Sequence, residues 1–221
     1  MDRRQVEQEI YRSIERVLHE MGIDVIADDV SIPVSVSARH VHLSPDDVNA
    51  LFGDGYSLTY FRDISQPGQY ACQEKVTLKG PKGMIENVRI LGPARGQTQV
   101  EVSKTDARTL GVDPPVRRSG VLKGSEAITI EAANGRVIHL NEGLIIADRH
   151  IHMTPEDARR FAVKDGEKVA VAISGEKPGV LGQVTIRVKE TYTLDMHIDT
   201  DDGNAFLIQG AGKGKIVKES W

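Results

Sequence analysis

Hydrophobic and polar residues alternate in short segments along most of the chain beyond residue 31, as they do in half-buried β-strands. The alternation is clear in residues 32–37, 98–103 and 168–173, and turns rich in glycine and proline separate such segments. One turn is Asn134-Gly135, which is a strong β-hairpin signal. The pattern predicts a mainly β protein, arranged as barrels or sandwiches.

Helical periodicity is restricted to a few segments. In residues 2–21 apolar side chains recur every three or four positions, which predicts an amphipathic helix that ends at Gly22. Two further helices are expected to begin at Pro45 and Pro155 and to reach about Phe52 and Val163. A short helix is expected over residues 105–110. The expected fold is therefore mainly β with short helices.

An eleven-residue motif occurs twice, at residues 37–47 and 147–157, with a constant offset of 110 residues. Each copy contains Arg-His-x-His, then Ser-Pro or Thr-Pro, then acidic residues. The duplication predicts two pseudo-repeated β domains, barrels or sandwiches, after the N-terminal helix. The expected division is residues 1–30 for the helix and its linker, 31–145 for the first half and 146–221 for the second half, with 31–38 able to pair with the second.

The duplicated His-x-His pairs are His40 and His42 in the first motif and His150 and His152 in the second. Side chains two apart on a strand point to the same side, so both imidazoles of a pair can approach one ion. Neutral imidazole is the commonest metal ligand in proteins. The serine or threonine that follows predicts a helix N-cap, with proline at the first helical position. Each motif therefore predicts a metal site where a strand meets a capped helix.

A catalytic metal usually has three protein ligands and one open position. Late in each half, an alternating strand that runs into a polar turn carries Glu101 in the first half and His197 in the second. The offset here is 96 residues, which indicates a loop deletion in the second half. The expected ligand sets are His40, His42 and Glu101, and His150, His152 and His197.

Several other polar residues have side chains or positions that indicate either anion binding or no chemical role. Arg95 lies in a loop with glycine and proline, where a guanidinium suits phosphate or carboxylate. Arg39 and Arg149 precede the histidine pairs and by alternation face away from the imidazoles, which indicates a structural or supporting role. His139 alternates within a strand and is expected to have no function. The glycine-rich residues 210–214 lack the spacing of a phosphate-binding loop.

The composition of the chain indicates which classes of partner and which cellular compartment fit the protein. The chain has 221 residues, of which 39% are hydrophobic and 27% charged, and its net charge is −4. These values are ordinary for a globular protein and favour neither nucleic acid nor an anionic membrane as a partner. No apolar run approaches the roughly 18–20 residues of a membrane helix. The single cysteine, Cys72, excludes an internal disulfide and fits a reducing compartment, so we expect a cytoplasmic protein with an inert thiol.

Five segments stand in a fixed order along the chain: residues 36–44, 62–69, 91–101, 116–120 and 147–154. Together they resemble the phosphate propanoyltransferases of the PduL type, which are phosphotransacylases of bacterial microcompartments. The resemblance covers about residues 32–216, and no motif position departs from the family pattern.

The resemblance implies a pair of β-barrels with two zinc ions that interconverts short-chain acyl-CoA plus phosphate with acyl phosphate plus CoA. One zinc would bind the first ligand set, where the CoA sulfur also binds, and the other would bind the second set with waters. Another divalent metal would suit the same donors. Arg95 would bind phosphate. The residues that would line the pocket, most of them unremarkable on their own, are Gln66, Gln69, Gln99, Ser119 and Arg187.

The resemblance also bears on partners beyond the CoA thioester and phosphate. In this family an N-terminal amphipathic helix often serves as an encapsulation peptide, so residues 2–21 could bind microcompartment shell or cargo proteins and bring the enzyme into the lumen. The same helix fits a plain structural role or a contact between two copies. We expect a homodimer.

Two other interpretations fit the residues. A two-metal hydrolase, such as a thioesterase or phosphatase, would act with metal-bound water and would not need phosphate to release CoA. A non-catalytic metal-binding module would close each site with four protein ligands, whereas three ligands leave room for a substrate.

Overall fold

The structure is a computed structural model and describes residues 31–208 and 210–217. The helix predicted at residues 2–21, with its suggested role as an encapsulation peptide, lies outside the described residues. Within them no helix is long and apolar enough to cross a lipid bilayer.

Fourteen strands and four short helices occur in the described residues. The strands are β1 (Ile32–Ser37), β2 (His40–His42), β3 (Tyr60–Asp63), β4 (Tyr70–Lys79), β5 (Met84–Gly92), β6 (Gln99–Glu101), β7 (Val116–Arg117), β8 (Glu126–Ala132), β9 (Val137–Ala147), β10 (His150–Met153), β11 (Lys168–Ser174), β12 (Gly179–Val188), β13 (Asp195–Asp199) and β14 (Ala211–Val217). The helices are α1 (Pro45–Phe52), α2 (Lys104–Leu110), α3 (Pro155–Arg160) and α4 (Thr200–Ala205).

The first barrel closes through six strands in the order β4-β5-β2-β6-β9-β8, with β8 returning to β4. In addition to these six strands, β3 pairs with β4 and β7 pairs with β9. The second barrel closes in the order β1-β13-β10-β12-β11-β14. The predicted pair of β-barrels with short helices is confirmed.

Strand β1 precedes the first barrel in the chain but belongs to the second. It pairs in parallel with β13 and antiparallel with β14, and so closes the second barrel. The chain crosses to the first barrel between β1 and β2, and returns between β9 and β10. Each crossing lies immediately before a His-x-His pair, so both pairs stand where the two barrels meet.

Each barrel has its own apolar core, and the two cores fix the direction of the histidines. Val41, between His40 and His42, is fully buried in the first core. Ile151, between His150 and His152, is fully buried in the second. Burying such a side chain contributes roughly 1.5–3 kcal/mol. Because neighbouring side chains on a strand point to opposite faces, this burial directs all four imidazoles away from the cores.

The structure differs from the sequence pattern at two places. The helix α3 ends at Arg160 and not near Val163. Of the glycine-rich residues 210–214, which the pattern did not predict as a strand, 211–214 belong to strand β14. A Cβ on Gly214 would lie 2.7 Å from a methyl carbon of Val171, so glycine there permits the barrel to close.

Candidate metal centre

The histidine pairs lie on equivalent strands of the two barrels. In the first barrel β2 pairs antiparallel with β6, which sets His40 opposite Glu101. In the second β10 pairs antiparallel with β13, which sets His150 opposite His197. The third ligand expected in each half therefore lies across from the first histidine. In each of the two groups, the candidate ligand atoms lie within 4.8 Å of one another.

A capped helix follows each pair, as the sequence predicted. The Ser44 hydroxyl accepts a hydrogen bond from the amide of Asp47 at the start of α1. Thr154 accepts the equivalent bond from Asp157 at the start of α3, where Asp157 completes a capping box. Such caps stabilise a helix start by about 1 kcal/mol. The two caps fix the end of each strand that carries a pair of imidazoles.

Backbone carbonyls orient three of the histidine rings. The Nδ1 of His40 lies 2.9 Å from the carbonyl oxygen of Ala38, and the Nδ1 of His150 lies 2.8 Å from that of Asp148. The Nδ1 of His42 lies 3.3 Å from the carbonyl oxygen of Leu91. A ring that donates its Nδ1 proton to a carbonyl keeps the Nε2 lone pair free for a metal.

Four imidazoles of the two groups are held neutral by their surroundings. Burial, together with the neighbouring histidines, lowers the pKa of His42 and of His152 to about 2. Burial and the neighbouring His197 lower the pKa of His150 to about 4. Burial also lowers the pKa of His197. At neutral pH these four rings are therefore neutral and able to ligate a cation.

Glu101 supplies the one negative charge among these ligand candidates. Burial opposes its ionisation, but favourable electrostatic interactions with the His40 and His150 rings and a hydrogen bond from Ser119 hold its pKa below the usual range. Its Oε2 lies 3.5 Å from the Nε2 of His40. Two donors on one tetrahedral zinc are about 3.3–3.6 Å apart, because each bond is about 2.0–2.2 Å. The pair is spaced as ligands of one ion.

Unpartnered nitrogen atoms in the second group also fit a cation. The Nδ1 of His152 and the Nε2 of His197 are buried and have no hydrogen-bond partner among the described residues. A buried polar group without a partner is costly. A divalent cation would give the ring nitrogens of this group the interaction that they lack, so the donors present fit a metal ion.

The two groups face a common cavity. Its lining includes His40 and Glu101 from the first group and His150 and His197 from the second. Its volume is about 20 Å³, which is room for a water molecule or an ion. The arrangement is therefore one centre with two neighbouring sets of donors.

Two arginines stand beside the histidines. Arg95 follows β5, and its Nη2 donates to the Oε1 of Gln69 at 2.8 Å. Arg187 lies on β12 beside His152 in the strand register, and its buried Nε has no partner among the described residues. Burial lowers the pKa of Arg95, and the charge of Arg187 adds to this. Two nearby guanidiniums in part-buried surroundings favour binding of an anion such as phosphate.

Three of the other residues that the family resemblance placed in the pocket make hydrogen bonds within the protein. Both amide atoms of Gln66 bind the backbone of Thr193, at 3.1 and 3.3 Å, and so link the first barrel to the second. The Nε2 of Gln99 donates to Glu101 at 2.5 Å and to Ser119 at 2.8 Å. These contacts give Gln66, Gln99 and Ser119 supporting positions.

The arginines of the two motifs form ion pairs away from the imidazoles. Arg39 donates to Asp106 at 2.9 Å, and Arg149 donates to Asp202 at 2.6 and 2.7 Å. Both aspartates lie at the third position of a helix, three residues after its N-cap. Asp106 and Asp202 therefore occupy equivalent positions in the two halves.

Residues expected to be inert lie apart from the centre. Cys72 is fully buried in the first core, and burial raises the pKa of its thiol to about 11. His139 is exposed, and its Nδ1 lies 2.9 Å from the hydroxyl of Thr129. Neither residue belongs to a described metal-binding group.

Sequence reasoning missed two residues beside the second group. The ring of Tyr192 packs against that of His152, with centroids 4.2 Å apart. Asp195 is 2% exposed and lies opposite His152 in the strand register. Its position two residues before His197 was a signal that alternation could have revealed, but nothing in the sequence singled out Tyr192.

Comparisons with known proteins agree with this geometry. A family model described as phosphate propanoyltransferase matches residues 33–209. A phosphate propanoyltransferase of Alkaliphilus metalliredigens is 48% identical over 96% of this chain and 99% of its own. One of Clostridioides difficile is 48% identical over 94% of this chain and 100% of its own. One of Priestia megaterium is 56% identical over 83% of this chain and 84% of its own.

Proposed function

Since this chain belongs to the phosphate propanoyltransferase family and is an acyltransferase, we propose that it interconverts short-chain acyl-CoA plus phosphate with acyl phosphate plus CoA. The acyl group is propanoyl or acetyl. The observation that carries the proposal is the meeting of two three-donor groups at one cavity, with two arginines beside them.

The centre would hold two zinc ions per chain, and another divalent metal would suit the same donors. One ion would be held by His40, His42 and Glu101, and the other by His150, His152 and His197. A bound zinc would supply Lewis acidity to polarise the thioester carbonyl or to stabilise the departing thiolate. Three protein ligands would leave a position open at each ion, as in catalytic sites.

Arg95 is the catalytic residue of the proposal. It holds phosphate for attack on the thioester carbon and offsets its negative charge. A phosphate oxygen forms the new bond to carbon, the carbon–sulfur bond breaks, and CoA leaves with the electron pair of that bond. Gln69 orients the guanidinium through the 2.8 Å hydrogen bond, and Arg187 adds a second positive charge. Because the Cys72 thiol is buried and protonated, direct attack by phosphate is favoured over an acyl-cysteine intermediate.

The test is release of CoA from propanoyl-CoA, measured with and without phosphate, and before and after treatment with a chelator. We expect release that requires phosphate, is abolished by the chelator and returns with added zinc. Release without phosphate would contradict the transfer reaction. Unchanged release from protein shown to be metal-free would contradict the metal centre.

For the cellular setting we propose that residues 2–21 act as an encapsulation peptide and direct the enzyme to the lumen of a microcompartment, in propanediol degradation. Deletion of residues 1–22 should abolish co-purification with shells and leave turnover intact. Unchanged co-purification would refute this role.

The assembly we propose is a homodimer. Sedimentation of the purified enzyme should give twice the chain mass of 24.2 kDa. A monomer at assay concentrations would contradict it.

A further inference from the structure

Tyr192 lies in the loop between β12 and β13, beside the second group of ligand candidates. Its ring is partly buried and packs against that of His152, with the centroids 4.2 Å apart and the planes at 40°. Arg187 on β12 is the register partner of the same histidine. Tyr192 and Arg187 therefore border one imidazole, and the phenol stands close to the proposed anion site.

The backbone of this loop is held by both barrels. The amide of Lys189 donates to the carbonyl of Met153, at the end of β10, at 3.1 Å. The amide of Tyr192 donates to the carbonyl of Lys189 at 3.0 Å and closes a turn. Both backbone polar groups of Thr193 bind the side chain of Gln66 in the first barrel, at 3.1 and 3.3 Å. The place of the Tyr192 ring is therefore fixed before any substrate binds.

The segment of the first barrel that holds this loop also holds Arg95. Gln66 and Gln69 belong to one turn, in which the amide of Gln69 donates to the carbonyl of Gln66 at 3.2 Å. The side chain of Gln69 accepts from the Nη2 of Arg95 at 2.8 Å. Burial lowers the pKa of Arg95, and the interaction with Tyr192 acts in the opposite direction. The turn thus brings the phenol of Tyr192 and the guanidinium of Arg95 to the same place.

The hydroxyl of Tyr192 is left available for a ligand. The described contacts of this side chain are the packing of its ring on His152 and an approach of the Lys189 ammonium, 5.9 Å from the ring centroid. The hydroxyl has no hydrogen-bond partner among the described residues, whereas that of Tyr56 donates to Glu74 at 2.8 Å. An anion held by Arg95 would supply the missing acceptor, and hydrogen bonds to ionised oxygens are stronger than neutral ones.

We propose that the hydroxyl of Tyr192 donates a hydrogen bond to the phosphate substrate beside Arg95, and to the phosphoryl group of the acyl phosphate in the reverse reaction. This role rests on the proposed function, because phosphate is the substrate of that reaction. The hydroxyl keeps its proton and orients the anion, so that an oxygen faces the thioester carbon. Tyr192 is then a specific contact for phosphate and not for the CoA thioester.

The experiment compares Tyr192→Phe with wild type in phosphate-dependent CoA release from propanoyl-CoA. The phosphate concentration for half-maximal rate should rise roughly 10–100-fold, because a hydrogen bond to a charged group is lost. The propanoyl-CoA concentration for half-maximal rate should not change. Tyr56→Phe is the matched control, since it removes a tyrosine hydroxyl that bonds to Glu74 instead, and it should keep the wild-type phosphate dependence.

Zinc titration and thermal unfolding separate this role from a purely structural one. Tyr192→Phe keeps the ring on His152, so it should bind zinc and melt as wild type does. A role in packing alone predicts a normal phosphate dependence in Tyr192→Phe, with weaker zinc binding or lower stability only in Tyr192→Leu. That result would overturn the inference. A changed dependence on propanoyl-CoA with an unchanged dependence on phosphate would also overturn it.

A binding measurement keeps the inference testable if Tyr192→Phe does not fold. Zinc-loaded protein with 3-fluorotyrosine in place of Tyr192 is titrated with inorganic phosphate and followed by fluorine NMR. The resonance should shift and saturate with phosphate. No shift at phosphate concentrations that saturate CoA release would overturn the inference alone. Wild-type release that does not depend on phosphate would contradict the proposed function, so the two failures are distinguishable.

Discussion

The two groups of ligand candidates lie on equivalent pairs of antiparallel strands in two similar barrels. The backbone arrangement is the same in both groups, and the side chains differ. Glu101 occupies the position in the first group that His197 occupies in the second. The first set therefore carries a negative charge, and the second consists of neutral rings. The duplicated backbone supplies the geometry, and single substitutions on it make the two halves chemically unequal.

The strand on the other side of the histidines differs as well. Beside β2 lies β5, and continuing their register by one residue sets Leu91 at the place that Arg187 holds on β12 beside β10. The first barrel supplies its arginine, Arg95, from the loop after β5 instead. The proposed anion site thus takes one guanidinium from each barrel by a different route, which explains why the repeat in the sequence did not reveal it.

The largest expected effect is removal of one imidazole from either group. His40→Ala and His150→Ala should each lose one metal equivalent and lower turnover by more than about 100-fold, beyond the usual effect of a residue that only supports a ligand. Metal analysis and the CoA-release assay measure both. His139→Ala is the control, because this exposed histidine lies in neither group, and it should keep both equivalents. Normal turnover in His150→Ala would show that the second group has no part in catalysis.

A slightly smaller effect is expected at the anion site. Arg95→Ala should lower turnover about 10²–10³-fold, as losses of electrostatic stabilisation do, and should raise the phosphate concentration for half-maximal rate. Arg95→Lys should recover part of the loss, because it restores charge without the planar fork. Arg108→Ala, on the exposed side of α2, is the control. Unchanged phosphate dependence in Arg95→Ala would remove Arg95 from the site.

The closure of the second barrel by β14 should be visible in the stability of a variant at Gly214. Gly214→Val would force a side chain against Val171 and should destabilise the protein by about 1–3 kcal/mol. Gly182→Ala, which meets nothing within 4 Å, should leave stability nearly unchanged. Urea unfolding measures both. Equal stability of the two variants would mean that β14 does not close the barrel as described.

The smallest expected effect is the difference in stability between variants of the two arginine–aspartate pairs. Arg149 makes two hydrogen bonds to Asp202, whereas Arg39 makes one to Asp106. Both arginine side chains are more than a third exposed, so each pair is worth about 1 kcal/mol or less. Arg149→Met should cost more than Arg39→Met in urea unfolding. The reverse order would contradict the greater strength of the bidentate pair.

The two groups of ligand candidates could be predicted from the sequence because they follow simple periods. Alternation places His40 and His42 on one face, and the repeat identified Glu101 and His197 as equivalent although 96 residues separate them. Strand β14 was missed because Gly212 and Gly214 have no side chains to alternate. The link between Gln66 and Thr193 joins residues 127 positions apart, and no local pattern reveals such a contact.

The central claim is that both groups bind metal and that phosphate-dependent acyl transfer needs them. The most direct test adds zinc in steps to chelator-treated enzyme, and measures bound zinc and phosphate-dependent CoA release on the same samples. We predict that two equivalents bind per chain and that full release requires both. Full release from metal-free enzyme, or release that is independent of phosphate at every zinc concentration, would contradict the account.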